Sequence, residues 1–308
     1  MANNFQLRDR LIERSGTLKT PEVSFEFFPP STEAIERSLW NSVSRLETLS
    51  PKFMSVTYGA DGSTRERTHS VIKKLQETTS TPVMPHLTCV NAPRDEIDQI
   101  AREYAEMGVT KIMALRGDPT TGAGEVYQPH PQGYDYAVDL VKGLKSIADF
   151  EIGVAAYPEV HPEAPSPHFD LQNLKAKFDA GADFAITQFF FDTDAFLSFR
   201  DRCLLAGIDK PLIPGILPVT NFATLTRFAK ACGTHLPSWL KKAFEGLDES
   251  PETRQLIAAN IAIEQVLSLQ AEGVNQFHFY SLNRAELCFA VCHALGLRPR
   301  LTTAVENA

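Results

Sequence analysis

The chain has 308 residues, an apolar content of 43% and a formal net charge of −8. That length suits a barrel of alternating strands and helices forming one domain over 1–308, since no low-complexity run or Pro/Gly/Ser linker divides it. The basic residues are scattered rather than blocked together, which excludes nucleic acid and anionic membrane as expected partners.

A helix is expected over the polar N-terminal stretch, which lacks a signal peptide's apolar run. Strand one then follows in VSFEFFPP, Val23 to Pro30. Seven further β-branched or aromatic runs follow in order: FMSVTYG, PVMPHLTCV, KIMALRG, EIGVAAYP, DFAITQFFF, PLIPGILPV and NQFHFYSLN. Segments of helical spacing separate them, such as RDEIDQIAREYAEMG and LQNLKAKFDAG. Four helices are expected to stop at Gly108, Gly181, Gly207 and Gly273, because glycine supplies the left-handed backbone that turns the chain back. Pro119 to Gly133 reads as a loop. Between strands seven and eight, PSWLKKAFEGL and ETRQLIAANIAIEQVLSLQAEG predict additional helices. Eight strand–helix units predict a (β/α)8 barrel.

No apolar stretch reaches the roughly 18 residues of a membrane span, so a cytoplasmic protein is expected. Five cysteines are widely spaced and odd in number. Cys288 and Cys292 lie one helical turn apart beside His293, yet further ligands at metal-binding spacing are missing, so reduced structural thiols and no metal are expected.

Side chains alternate along a strand. In strand one Phe25 and Phe27 share the face under the helices, leaving Ser24 and Glu26 on the other and Glu26 directed into the barrel mouth. Ser55 with Thr57, and His86 with Thr88, share faces in the next two strands. Strands four, five, six and eight end in LRGD, AAYPEVH, ITQFFFD and LNR. Polar groups thus collect at the carboxyl ends, where barrel enzymes build active sites. Simpler readings stand beside this one. Glu26 could pair with Arg116, Asp118 could form a turn before Pro119, His86 and His161 could be structural, and Gln188 a bonded core amide.

Phosphate-cradling, dinucleotide and nucleophile-elbow fingerprints are missing, and no lysine closes a strand to form a Schiff base. Two acids remain in unlike surroundings. Apolar sequence neighbours are expected to keep Glu26 protonated as a donor, whereas Asp118 beside Arg116 is expected to stay ionised.

VSFEFFPP, SVTYGA, PHLTC, ALRGD, AAYPEVHPEA, ITQFFFD, PGILPV and HFYSLNRAE together resemble the bacterial methylenetetrahydrofolate reductase family, from about Val23 to Gly296. The resemblance implies a (β/α)8 flavoprotein that passes hydride from NADH or NADPH, with NADH favoured, through bound FAD to 5,10-methylenetetrahydrofolate. The product, 5-methyltetrahydrofolate, serves methionine synthesis. It implies Glu26 as general acid and Asp118 as the charge facing the 5-iminium cation. Thr57 and Gln188 match positions that meet nicotinamide, Gln188 also reaching folate. Phe228 matches an aromatic on the substrate rings, and Arg284 a folate contact.

The resemblance places the FAD pocket at Tyr58, Ala60, His86, Arg116, Gly117, Asp118 and Ala137, and further at Tyr157, His161, Ala164, Asp170, Asn173 and Lys177. Arg116 and Lys177 would face the diphosphate. A homo-oligomer without a C-terminal regulatory domain is also implied. Thr224 replaces a glutamine that contacts folate in some members, Ala176 replaces a basic FAD contact, and the loop at 119–133 is longer. Two competing readings are a metal-assisted hydrolase using Glu26, His86, Asp118 and His161, and a catalytically silent folate- or flavin-binding barrel.

Overall fold

Strands covered on both faces read as near-continuous apolar runs, and these runs assemble into a parallel sheet. The computed structural model describes residues 20–58, 65–118, 127–219 and 221–300. The expected N-terminal helix and Ala60 lie outside the described residues, as does most of the Pro119–Gly133 stretch. In chain order the elements begin β1 (Glu22–Phe27), α1 (Glu33–Glu47), β2 (Met54–Val56), α2 (Arg65–Thr78), β3 (Val83–Thr88) and α3 (Arg94–Glu106). They continue β4 (Lys111–Leu115), α4 (Ala137–Ile147), β5 (Glu151–Ala156), α5 (Pro167–Asp179), β6 (Phe184–Thr187) and α6 (Thr193–Leu205). The last part holds β7 (Leu212–Ile213), β8 (Gly215–Ile216), α7 (Phe222–Cys232), α8 (Ser238–Phe244), α9 (Pro251–Ala271), β9 (Gln276–Tyr280) and α10 (Ala285–Ala294).

The sheet runs β7-β6-β5-β4-β3-β2-β1-β9-β8, with every pair parallel. β7 and β8 are halves of the expected seventh strand, divided at Pro214, which has no N–H to give a ladder. One half pairs with β6 and the other with β9, so the covalent link at Pro214 closes the ring. This is the (β/α)8 barrel, with α8 and α9 as the additional helices before the last strand. The expected helix-ending glycines all adopt positive φ: 81° at Gly108, 115° at Gly181, 77° at Gly207 and 83° at Gly273.

Two apolar layers hold the barrel. Outside, Phe25 and Phe27 of β1 pack with Leu39, Val43 and Leu46 of α1, which recur at helical spacing. Thr32 caps that helix by accepting the Ile35 N–H. Inside, Phe53, Met84, Met113, Phe184, Ile186 and Ile213 form a plug across the barrel. Each such side chain contributes about 1.5–3 kcal/mol on burial. Below the plug, Lys111 and Glu151 pair at the amino-terminal end. A third cluster, with Phe189, Leu217, Leu225 and Phe244, seats α7 and α8 beside the mouth. All five cysteines are free thiols. Among the described residues no helix is long and apolar enough to cross a membrane.

Candidate active site

Above the plug the barrel interior turns polar. Glu26 stands in register with Ser55 of β2 and Tyr280 of β9, so the three share a level on the inner face. Its Oε2 lies 3.4 Å from His86 Nε2 and 3.6 Å from His278 Nε2. Behind His278, Ser24 Oγ meets Nδ1 at 2.8 Å, and the imidazole stacks on Phe53 of the plug with ring centres 5.7 Å apart. Burial holds the His86 imidazole below the ordinary histidine range, partly opposed by the Glu26 charge, so it is neutral near pH 7. Among the described residues, Ser55 Oγ and Thr88 Oγ1, also buried here, have no hydrogen-bond partner, and nor has either Nε2 atom.

Glu26 points inward and Phe25 and Phe27 lie on the opposite face, as expected, so its sequence neighbours are not its surroundings and the carboxyl group faces imidazoles. Of the simpler readings, a Glu26–Arg116 pair is not formed. The Arg116 guanidinium forks onto Glu163, Nη1 to Oε2 at 2.5 Å and Nη2 to Oε1 at 3.0 Å. It also stands 3.6 Å from Asp118 and 4.6 Å above the Tyr127 ring.

The second acid sits on the rim. Gly117, with φ 85°, turns the chain out of β4 and leaves Asp118 largely exposed beside Arg116. Burial raises the Tyr157 phenol, with the Asp118 charge adding to the effect. Tyr280 is raised by burial and then by Glu26 and Tyr157. Glu26, Tyr280, Tyr157 and Asp118 thus form a chain of electrostatic neighbours across one mouth. Tyr280 is anchored by donating to the Thr187 carbonyl at 2.7 Å.

A third group lines the β5–α5 side. Ser166 caps α5 by accepting the Phe169 N–H, and Pro167 pre-sets its first turn. Asp170, Asn173 and Lys177 follow at helical spacing on one face. Asp170 Oδ2 accepts the His161 backbone N–H at 2.9 Å, and Ala164 closes a turn onto the His161 carbonyl. His161 Nδ1 accepts the Glu163 N–H, and its ring meets Tyr157 edge-on at 4.6 Å. Burial and Arg116 hold this imidazole below its ordinary value as well. Lys177 Nζ donates to the Ala155 carbonyl at 2.9 Å. Desolvation lowers that ammonium to about 8.

The remaining expected residues fall on the same rim. Thr57 and Tyr58 follow β2, Gln188 follows β6 with its Oε1 accepting the Phe189 N–H, and Ala137 opens α4. Phe228 is exposed on α7, and exposed Arg284 precedes α10. Asp118 and His161 lie with Arg116 rather than with the Glu26–His86 pair. Among the described residues no three His, Cys, Asp or Glu side chains form a metal-binding group. Ser24, Glu163, His278 and Tyr280 were not among the expected residues. Alternation in NQFHFYSLN, which puts His278 and Tyr280 on one face, is the signal that reveals two of them.

Fold and site together define a (β/α)8 barrel whose polar and ionisable groups gather at the carboxyl ends of the strands. The sequence model of the family described as methylenetetrahydrofolate reductase matches residues 11–296. The 5,10-methylenetetrahydrofolate reductases of Salmonella typhimurium and Escherichia coli are 55% and 53% identical, each over 96% of both chains. A solved structure, an uncharacterized protein from Clostridium thermocellum that binds two copies of 5-methyl-5,6,7,8-tetrahydrofolic acid, superposes with a TM-score of 0.62 at 17% identity. It covers 94% of this chain and 97% of its own, and the likeness is one of fold. The chain belongs to the methylenetetrahydrofolate reductase family.

Proposed function

We propose that the chain reduces 5,10-methylenetetrahydrofolate to 5-methyltetrahydrofolate, taking hydride from NADH in preference to NADPH by way of bound FAD in a ping-pong cycle. The observation that carries the reading is the pair of carboxylates at one mouth in unlike surroundings. Glu26 is held inside the barrel against two imidazoles, and Asp118 stands on the rim beside a guanidinium. Family membership names the substrate those two groups serve.

FAD is tested by the rim itself. Lys177 carries a desolvated ammonium bonded to a carbonyl and makes no ion pair among the described residues, so an anion beside it would relieve a standing cost. Thr88 Oγ1 is a buried polar atom without a hydrogen-bond partner among the described residues, suited to a heteroatom-rich ring system. These features fit the cofactor. Lys177 is the better diphosphate partner, since Arg116 is already committed to Glu163. Tyr58, His86, Gly117, Ala137, Tyr157, His161, Ala164, Asp170 and Asn173 complete the pocket, with Ala60 beyond the described residues. Bound FAD supplies the ability to accept hydride from one partner and pass it to another.

The residues of the chain do the rest. Methylenetetrahydrofolate must open its imidazolidine ring to a 5-iminium cation before it accepts hydride, and opening needs a proton at the departing N10. Glu26 delivers it, directly or through a water. Ser24 Oγ can donate to the Phe277 carbonyl at 3.4 Å while accepting from His278 Nδ1–H. That arrangement leaves Nε2 facing Oε2 at 3.6 Å and fixes where the imidazole stands beside the acid. Ser24 and His278 are thus positioning residues for the acid. Asp118 faces the cation; a fixed charge aimed at developing charge is commonly a large catalytic contribution. Thr57 and Gln188 orient nicotinamide, Gln188 and Phe228 the folate rings, and Arg284 its glutamate tail. The barrel is the catalytic unit, and assembly as a cytoplasmic homo-oligomer follows the family.

The visible spectrum of the purified protein tests this. It should be yellow, bleach anaerobically with NADH and recover colour on adding methylenetetrahydrofolate. A protein that takes up no FAD, or whose reduced flavin ignores the folate, overturns the reading.

A further inference from the structure

β9 leaves the barrel through a turn of unusual hand. Leu282 and Asn283 both have positive φ, 51° and 54°, and the Arg284 N–H closes onto the Ser281 carbonyl at 2.9 Å. Two consecutive non-glycine residues in this region are uncommon, and for leucine the conformation is strained. Such strain persists where the surroundings over-determine it.

Here they do. Asn283 is 1% exposed, and its polar groups are all engaged. Its N–H donates to Ser281 Oγ at 3.2 Å, and its carbonyl accepts from Ser38 Oγ and Ser42 Oγ of α1 at 2.7 and 2.8 Å. Its Oδ1 accepts the Phe28 N–H at 3.1 Å, and its Nδ2 donates to the Phe28 carbonyl at 2.9 Å.

The last two bonds have the form of a strand pairing. The β1–β9 register ends at Glu26 and Tyr280, where Ser281 donates both N–H (3.3 Å) and Oγ (2.5 Å) to the Glu26 carbonyl. Beyond that level the β9 backbone has turned away, and the Asn283 carboxamide stands in for a peptide group, serving both sides of Phe28. Pro29 and Pro30, which follow, have no N–H to hold the chain otherwise. One side chain therefore fixes the end of the strand that carries Glu26. Its own backbone fixes the turn that presents Arg284.

We propose that Asn283 is a positioning residue for folate reduction: its carboxamide locks the Glu26 strand end and the Arg284 turn into one register. The proposal rests on the function given above and adds a residue to it. Flavin reduction, which needs neither Glu26 nor Arg284, should not depend on the clamp.

Asn283→Asp tests it, measured as two anaerobic half-reactions across pH against the parent protein. The new carboxyl keeps the shape. Ionised, it sets an oxygen against the Phe28 carbonyl; protonated, it restores a donor there. Its partners are the Phe28 peptide groups and the turn at Ser281, with the hydroxyls of Ser38 and Ser42 from α1; the nearest ionisable residues along those segments are Glu26 and Arg284. Rates of the variant and the parent are compared at each pH. Folate reduction relative to the parent should fall by up to about 100-fold at alkaline pH, the scale of a misplaced reacting group. It should recover toward unity as pH falls, with KM for the folate rising alongside the loss in kcat. The flavin-reduction ratio should stay within about twofold at every pH.

Ser281→Ala, which removes one hydroxyl from the same turn, decides the matter if the first variant does not fold. It should slow folate reduction by about fivefold, the worth of one hydrogen bond, and spare flavin reduction. Equal loss in both half-reactions, or a folate ratio flat with pH, overturns the proposal. If the parent itself does not reduce the folate, the functional reading fails instead.

Discussion

Replacing Glu26 by Gln removes a transferable proton while keeping size, shape and hydrogen-bonding capacity. The carboxyl lies between two imidazole nitrogens at 3.4 and 3.6 Å and is mostly buried, so a carboxamide fits without opening a cavity. Tm should therefore hold. General-acid assistance contributes about 10²–10⁴-fold, or about 2.7–5.4 kcal/mol of barrier. That loss should fall entirely on the oxidation of reduced flavin by methylenetetrahydrofolate. Stopped-flow absorbance of the flavin, under anaerobic conditions, resolves the two half-reactions separately. Reduction by NADH should proceed within about threefold of the parent rate. Folate-dependent reoxidation slowed by less than about tenfold would show that the proton comes from elsewhere. Equal slowing of both halves would show that the substitution perturbs the flavin rather than the acid.

Asp118→Asn keeps the shape of the rim and the Arg116–Glu163 fork but removes the charge facing the cation; folate reduction should fall by about 10²-fold, measured as above. Lys177→Met trades function for stability. The ammonium's folded-state value is lowered from 10.5 to about 8, so between those values the folded chain binds fewer protons than the unfolded one. Stability of the parent apoprotein should therefore rise with pH through that window, the cost standing in full below about 8. The variant lacks that cost, and should be more stable at pH 7 by on the order of 2 kcal/mol in urea unfolding. The gap should close by about pH 10.5, and the variant should lose FAD on gel filtration. No stability gain at neutral pH would contradict the desolvation argument. Gly215→Ala would place a methyl group against the Thr187 carbonyl and 2.6 Å from the Tyr280 ring. It should unseat the Tyr280 hydroxyl and lower stability by about 1–3 kcal/mol, read as a drop in Tm.

The strands were legible because period-two alternation and apolar runs are local properties, and the helix ends because positive φ at Gly108, Gly181, Gly207 and Gly273 is a local demand. The inward face of Glu26 followed from the same alternation. Its partners did not, because His86 and His278 arrive from β3 and β9, and only barrel closure brings them to one oxygen. Apolar sequence neighbours say little of Glu26's surroundings for a related reason: on a strand the nearest residues in sequence point away, as Phe25 and Phe27 do. Arg116 is next but one to Asp118 and was rightly read as its neighbour, yet its fork is taken up by Glu163, from the loop after β5. The clamp at Asn283 carries no sequence pattern at all. An asparagine after a strand reads as a turn former, and nothing local says that its carboxamide reaches back across 255 positions to Phe28.

The vertical order of the barrel interior explains why the acid is placed where it is. The plug of Phe53, Phe184, Met84 and their neighbours closes the floor, so nothing below Glu26 can hydrate it. A charge at that level would be costly without compensation, and the chain surrounds it with groups that can accept or donate a proton rather than with fixed cations. Arg116 and Lys177 are kept to the rim, Arg116 beside Asp118 and Lys177 against the Ala155 carbonyl. On the proposed function, two imidazoles rather than a fixed cation face the carboxyl group that delivers the proton. His278, stacked on Phe53 and backed by Ser24, ties that arrangement to the rigid floor of the barrel.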